Sequence, residues 1–308
     1  MSIVVKNLTK VYGEQHAVDN ISFEAKPGEI LGFLGPNGAG KSTTMKIATS
    51  YLPPSQGSVS VCGKDVVKEP MAVRKLVGYL PENNPLYLDM YVKEYLGFIA
   101  SVHGISGKKA QQRIGEIIEL VGLTKEQHKP IKALSKGYRQ RAGVAQALLH
   151  NPEVLILDEP TTGLDPNQIT EVREVIRSIS QEKTVIFSTH IMQEVQALCD
   201  RVVIIHEGKL VANNSLAELG QQQLRKLRIA FAGEHQIEPF QALEGVEEIQ
   251  PLGQQEGQSQ YLLSTTKDCR VEVFQTATAH QMVLIELSEE KASLEQLFYD
   301  LTQGKPST

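Results

Sequence analysis

The run Gly35-Pro36-Asn37-Gly38-Ala39-Gly40-Lys41-Ser42 has the spacing G-x-x-x-x-G-K-S. The chemistry open to it is phosphate capture. Glycines allow successive backbone N–H groups to turn inward on an anion, and a helix starting behind such a loop adds the positive end of its dipole. Lys41 would reach the β- and γ-phosphates as a point charge, Ser42 would ligate Mg2+ through its hydroxyl, and Thr43 would make the next phosphate contact. The plain alternative is a flexible glycine-rich loop with a chance Lys-Ser, which would need no strand before it and no helix after it. Two acids, Asp158 and Glu159, follow an apolar run. Alone they read as solvated carboxylates at a strand end. Beside a phosphate loop, Asp158 can hold Mg2+, directly or through water, and Glu159 can polarise the attacking water as general base. His190 ends another apolar run and can reach a γ-phosphate if its strand lies beside that of Asp158. Together these parts describe ATP binding and hydrolysis.

Strands alternating with helices must position these groups. Ile30-Leu31-Gly32-Phe33-Leu34 runs into the glycine-rich turn, and a helix is expected from near Lys41. Val154-Leu155-Ile156-Leu157 lies between Pro152 and Pro160. With Thr184-Val185-Ile186-Phe187-Ser188 and Val202-Val203-Ile204-Ile205, it has the unbroken apolar character of strands buried on both faces. Helices expected over 166–181 and 191–198 separate these runs, which argues for an α/β domain with a largely parallel sheet. Ahead of them, Ile3-Val4-Val5 and Ile21-Ser22-Phe23 read as short strands, with turns at Tyr12-Gly13 and Pro27-Gly28. Residues 86–150 read as mostly helical: Ile114, Ile117, Ile118 and Val121 form an i, i+3, i+4, i+7 face, and a second apolar pattern follows Leu134-Ser135.

Beyond about residue 220 the composition changes. Gln221-Gln222-Gln223 and Gly253-Gln254-Gln255-Glu256-Gly257-Gln258 read as polar loops. Strand 226–231, helix 239–244, strands 246–251 and 260–264, helix 270–278 and strand 282–287 give a βαββαβ order, that of a small ferredoxin-like domain. A final helix is expected over 292–302. The acidic run Glu286-Leu287-Ser288-Glu289-Glu290 reads as its solvated entrance, with Ser288 as cap.

A net charge of −5 supplies no global attraction to nucleic acid or anionic lipid. Cys62, Cys199 and Cys269 lack metal-ligand spacing and read as reduced, buried thiols of a cytosolic protein. The N-terminus shows no basic region followed by a long apolar run, so no signal peptide is expected. No apolar stretch reaches the roughly 18 residues that span a bilayer. A membrane role would therefore work through a partner.

The order of phosphate loop, Leu134-Ser135-Lys136-Gly137-Tyr138-Arg139-Gln140-Arg141, Leu157-Asp158-Glu159-Pro160, Gly163-Leu164-Asp165 and Thr189-His190 resembles the ATP-binding subunit of an ABC transporter over residues 2 to about 220. The resemblance implies a P-loop NTPase cassette over 1–220, with a mostly parallel sheet core, an antiparallel β subdomain and a helical subdomain, followed by a small α+β domain over 221–308. It implies that Tyr12 stacks on adenine and that Gly35–Thr43 bind ATP. Ser135 and Gly137 would contact the γ-phosphate held by a second copy, and Asp165 would cross the dimer interface. Glu159 and His190 would be catalytic, and Ser42, Asp158 and Glu82 would serve Mg2+. Two copies would sandwich two ATP molecules, and hydrolysis would reopen them. The partners implied are that second copy and a separate integral membrane permease. The chain would then be cytoplasmic, peripheral on the inner face of the plasma membrane.

Glu82, Lys136 and Tyr138 depart from the common pattern, which has Gln at the first position and Leu-Ser-Gly-Gly-Gln around the others. A carboxylate at Glu82 can still serve a cation but adds negative charge near the γ-phosphate. These variants are similar to the export branch of the family, and Met1–Pro54 resembles ATPases associated with bacterial gliding motility. The cluster Pro85, Leu86, Tyr87, Leu88, Met90 and Tyr91 is either a permease contact or ordinary core. Two rival functions are weaker. A ribosome- or DNA-acting cassette usually has two cassettes or a long coiled-coil insertion, which residues 45–133 are too short to hold. A non-hydrolysing ATP sensor is disfavoured by Glu159.

Overall fold

A computed structural model describes residues 2–221, 225–233, 237–255, 257–290 and 298. The chain separates into two compact units, Met1–Leu216 and Ala217–Thr308. The first unit holds two sheets. One is antiparallel, of order β2-β1-β4-β5, from β1 (Ile3–Tyr12), β2 (Gln15–Ala25), β4 (Gln56–Val61) and β5 (Lys64–Asp65). The other has the order β10-β9-β3-β8-β7-β6, from β3 (Ile30–Leu34), β6 (Val77–Leu80), β7 (Val154–Asp158), β8 (Thr184–Thr189), β9 (Arg201–His206) and β10 (Lys209–Ser215). Its strands run parallel except β10, which folds back on β9. Every residue of β3, β7 and β8 is buried, as their apolar sequences demand of strands covered on both faces. A core of side chains from both sheets joins them. Phe23 of β2 meets Phe33 of β3 with ring centroids 5.3 Å apart, and Met45 and Ile47 of α1 (Lys41–Ala48) pack into the same core.

The remaining helices of this unit are α2 (Pro70–Leu76), α3 (Val92–Val102), α4 (Gly107–Leu120), α5 (Lys136–Leu148), α6 (Pro166–Ser180) and α7 (Met192–Leu198); α8 (Leu216–Gln221) begins at its last residue and belongs to the second. The expected apolar face of α4 is realised: Ile114, Ile117, Ile118 and Val121 are all buried. Two strands carry weak sequence signals. β4 alternates small polar residues with valines, and β6 is only four residues long.

In the second unit β11 (Arg225–Ala232), β12 (Val246–Gln255), β13 (Gln258–Thr265) and β14 (Leu284–Glu290) form an antiparallel sheet of order β12-β13-β11-β14. With α9 (Glu238–Gln241) and α10 (Arg270–Ala279), this is the βαββαβ ferredoxin-like order. Leu227, Ile229, Phe231, Phe240 and Val273 form its core.

Several expectations are corrected. The run Glu286–Glu290 is strand, not a helix entrance. Leu287 pairs with Ile229 of β11, and the Ser288 hydroxyl donates to Glu286 Oε1 at 2.6 Å, two residues away on one face, instead of capping a helix. Strand partners supplied by β11 decide this segment. Gly253-Gln254-Gln255 and Gln258 are not open loop: they close the β12–β13 hairpin, with Gln255 opposite Gln258 and Gly253 at a register shift with φ 107°. Cys62 is exposed, because it occupies the tight β4–β5 turn at φ 47°, whereas Cys199 and Cys269 are buried. The helix expected over 239–244 is a single turn, Glu238–Gln241. The helix expected over 292–302 lies outside the described residues.

Candidate nucleotide site

The glycine-rich run leaves the C-terminal end of β3 and enters α1 at Lys41. Its N-cap, Gly40, sits at φ 108°, a left-handed geometry that a side chain resists. Space forbids a side chain as well. A Cβ on Gly40 would collide with the Ala17 carbonyl, and one on Gly35 with the Ile205 carbonyl. The underside of the loop is thus packed against β2 and β9. Gly35 N donates to Thr189 O at 3.3 Å, and Gly208 N donates to Ala39 O at 3.0 Å. No side chain caps α1, so the first-turn amides that a helix cannot satisfy itself remain for an anion. Asn37 and Gly38 are exposed on the outer side, and Ser42 and Thr43 are half-buried.

Lys41 is buried and reaches back over the loop. Its Nζ donates to Gly35 O (2.8 Å) and Pro36 O (3.1 Å) and lies 3.3 Å from Glu159 Oε1. Asp158 ends β7 and is 1% exposed; its Oδ1 accepts the Ser188 hydroxyl at 2.6 Å. Glu159 adopts φ 49°, uncommon for a residue with a side chain. Its Oε2 accepts the Thr162 hydroxyl (2.9 Å) and faces His190 Nδ1 at 3.1 Å. Burial alone would push the Glu159 carboxyl up. The Thr162 hydroxyl, the Lys41 ammonium and the neighbouring His190 outweigh it and hold the group below its ordinary value of 4.5, so it is a carboxylate at neutral pH. β7 and β8 are hydrogen-bonded neighbours, which is why His190 and Glu159, far apart in sequence, meet.

These donors fit a hard cation. Mg2+ favours oxygen ligands, takes one or two carboxylates and completes its shell with phosphate oxygens and water. Asp158 and the Ser42 hydroxyl are of that kind. Among the described residues no three His, Cys, Asp or Glu side chains gather closely enough to hold an ion unaided. Glu82 is exposed two residues beyond β6, and among the described residues it makes no hydrogen bond or ion pair. Tyr12 stands at the β1–β2 hairpin tip, 46% exposed, with the Lys10 ammonium 5.2 Å from its ring centroid.

Ser135 and Gly137 belong to a second surface of the same unit. Ser135 caps α5, accepting Tyr138 N at 3.3 Å, and Asp165 caps α6, accepting Gln168 N at 2.9 Å. Between these helix starts lies a cavity of about 230 Å3 lined by Ser135, Gly137, Tyr138, Arg141, Asp165 and Gln168. The two departures fit here. The Lys136 amine lies against Gly163, and the Arg141 guanidinium lies over the Tyr138 ring at 5.4 Å. Among the described residues no hydrogen bond or ion pair joins this cavity to Gly35–Thr43.

Sequence reasoning passed over Ser188, Thr162 and Glu194. Thr162 and Ser188 hydrogen-bond the two acids, and Thr189 Oγ1, next to His190, donates to the buried Glu194 at 2.5 Å. A visible signal existed: polar Ser188 and Thr189 close a strand buried at every residue.

Residues 18–162 match the family model described as ABC transporter. The chain is 41% identical over 219 residues to an uncharacterized ABC transporter ATP-binding protein of Bacillus subtilis, YxlF, with 71% of this chain and 72% of that protein covered. It is 32% identical over 302 residues to the linearmycin resistance ATP-binding protein LnrL of Bacillus subtilis, with 96% and 97% covered. Among solved structures, the dimeric bacterial ABC transporter cassette MJ0796 superposes with a TM-score of 0.64 at 25% identity, covering 70% of this chain and 98% of that one.

Proposed function

We propose, from the premise that this chain belongs to the ATP-binding proteins of ABC transporters, that it binds and hydrolyses ATP to drive a separate membrane permease, as an exporter. One observation carries the hydrolytic reading: the Glu159 carboxylate is held between Lys41 Nζ (3.3 Å) and His190 Nδ1 (3.1 Å) at the mouth of an uncapped glycine-rich helix start. The loop amides and Lys41 bind the β- and γ-phosphates. Asp158, Ser42 and Glu82 would hold Mg2+, which when bound neutralises charge developing on the phosphates. Glu159 takes the proton of the attacking water, and His190 donates toward the γ-phosphate and orients Glu159. Tyr12 stacks on the base.

Ser135 and Gly137 offer the start of α5 to ATP bound by a second copy, which makes a closed homodimer the active form. The similar cassette MJ0796 is dimeric, which supports this reading. Residues 1–220 act as the cassette and 221–308 as an accessory domain. Among the described residues no helix is long and apolar enough to cross a membrane; in this reading the permease is another chain. Tyr87, Leu88, Tyr91 and Phe98 are exposed beside one another and suit that contact. The resistance relative, aligned over nearly the whole chain, favours export. A gliding-motility role rests only on the resemblance of Met1–Pro54.

The test is ATPase activity of the purified chain against protein concentration. Specific activity that rises with concentration, and a Glu159→Gln variant that loses turnover while accumulating an ATP-bound dimer, support the reading. A variant that hydrolyses ATP at the parent rate sinks it.

A further inference from the structure

Ser188 is fully buried at the end of β8 and touches both acids of the site. Its hydroxyl has one proton and gives it to Asp158 Oδ1 at 2.6 Å, a short charge-assisted bond. That bond fixes the carboxylate rotation. Ser188 Oγ itself accepts Glu159 N at 3.0 Å, and the Ser188 carbonyl accepts that N–H at 3.2 Å. Glu159 sits at φ 49°, and such backbone persists only where its surroundings over-determine it. Ser188 supplies that constraint through two acceptors. We propose that Ser188 is a positioning residue that couples cation loading at Asp158 to the placement of Glu159. The inference rests on the reading of Asp158 as Mg2+ ligand and Glu159 as base. Hydrogen bonds in series polarise one another. A cation that draws charge from Asp158 therefore alters the Ser188 hydroxyl, and through it the hold on the Glu159 amide.

A purely structural hydroxyl would behave differently, and the same strand holds one. Thr184, at the far end of β8, is buried and bonds Ser2 Oγ (2.7 Å) and Lys26 O (3.2 Å), away from both acids. Thr184→Val is therefore the control for Ser188→Ala.

The experiment titrates the full chain with a fluorescent, non-hydrolysable ATP analogue, in EDTA and over a range of Mg2+. In the parent, Mg2+ tightens binding. In Ser188→Ala the half-saturating Mg2+ rises about 10- to 100-fold, while affinity in EDTA stays within about twofold, as expected for loss of a group that orients a metal ligand. Ser188→Cys, a similar volume with a weak donor, falls between, and it decides the matter if the alanine variant melts near room temperature. Thr184→Val keeps the parental Mg2+ dependence. Turnover supplies the second reading: at saturating Mg2+ Ser188→Ala keeps a reduced kcat with unchanged KM for ATP. An unchanged half-saturating Mg2+, an equal loss of affinity with and without Mg2+, or the same shift in Thr184→Val overturns the proposal. Full recovery of kcat at saturating Mg2+ overturns the link to Glu159. A parent whose binding ignores Mg2+ instead refutes the reading of Asp158 on which the inference rests.

Discussion

The surface around Lys41 and the cavity at the start of α5 belong to one unit and handle charge in opposite ways. Around Lys41 the charges are buried and mutually engaged. Lys41, Asp158 and Glu159 are each less than a tenth exposed, and each has a named partner from another element. At the start of α5, Ser135 and Lys136 are exposed, and the Arg141–Glu171 ion pair lies on an open rim with Glu171 55% exposed. The first region is organised by its own fold. The second offers a helix start and a cavity that no described residue fills. Defects in the first should alter nucleotide binding by a single copy, and defects in the second should alter turnover only when two copies meet.

The largest expected effect lies in the first region. Glu159→Gln should lower turnover by about 10²- to 10⁴-fold, the usual contribution of a general base, with nucleotide affinity kept; single-turnover assays beside equilibrium binding check it. Lys41→Ala removes the buried ammonium that reaches over the loop. It should weaken ATP binding by a charged hydrogen bond, about 1.5–3 kcal/mol, at any protein concentration, as read by calorimetry. If dilution rescued it, the two regions would not differ as described.

Ser135→Ala probes the second region. Loss of the α5 cap should cost about 1 kcal/mol of stability, seen as a lower midpoint in denaturant. Nucleotide binding by dilute protein should not change, while concentration-dependent turnover falls. A drop in dilute binding would place Ser135 in the first region.

The smallest effect is on stability against pH. A carboxyl held below its ordinary value stabilises the fold where it is ionised. For Glu159 the gain is fully present above about pH 4.5 and is lost as pH falls through the lower folded value. Glu159→Gln should therefore show a smaller drop in melting temperature between pH 5 and pH 3 than the parent. Equal drops would mean that Lys41 and His190 do not stabilise the carboxylate.

Much of this was legible in residue order. The unbroken apolar runs at Ile30–Leu34 and Val154–Leu157 announced buried parallel strands, and the loop between Gly35 and Ser42 announced its chemistry. The four-residue β6 and the small-residue β4 were not legible, because each is held by neighbours rather than by its own composition. Glu286–Glu290 misled for the same reason: an isolated acidic run suits a helix start, but backbone pairing with β11 makes it strand. Lys136 and Tyr138 looked like defects of a signature, and the structure gives both a packing partner.

Residue order alone specified the phosphate loop, the pair of acids, the alternation of strands and helices and the change of composition near residue 220. These are local properties, set by residue type and by spacings of a few positions. Tertiary contacts were needed to show that Lys41, Glu159 and His190 converge, that Glu159 takes a left-handed backbone, and that Ser188 binds both acids. Each of these needs β3, β7 and β8 side by side, and sheet neighbours that bring Asp158 within 2.6 Å of a residue 30 positions away are chosen by burial and backbone hydrogen bonding, not by local spacing.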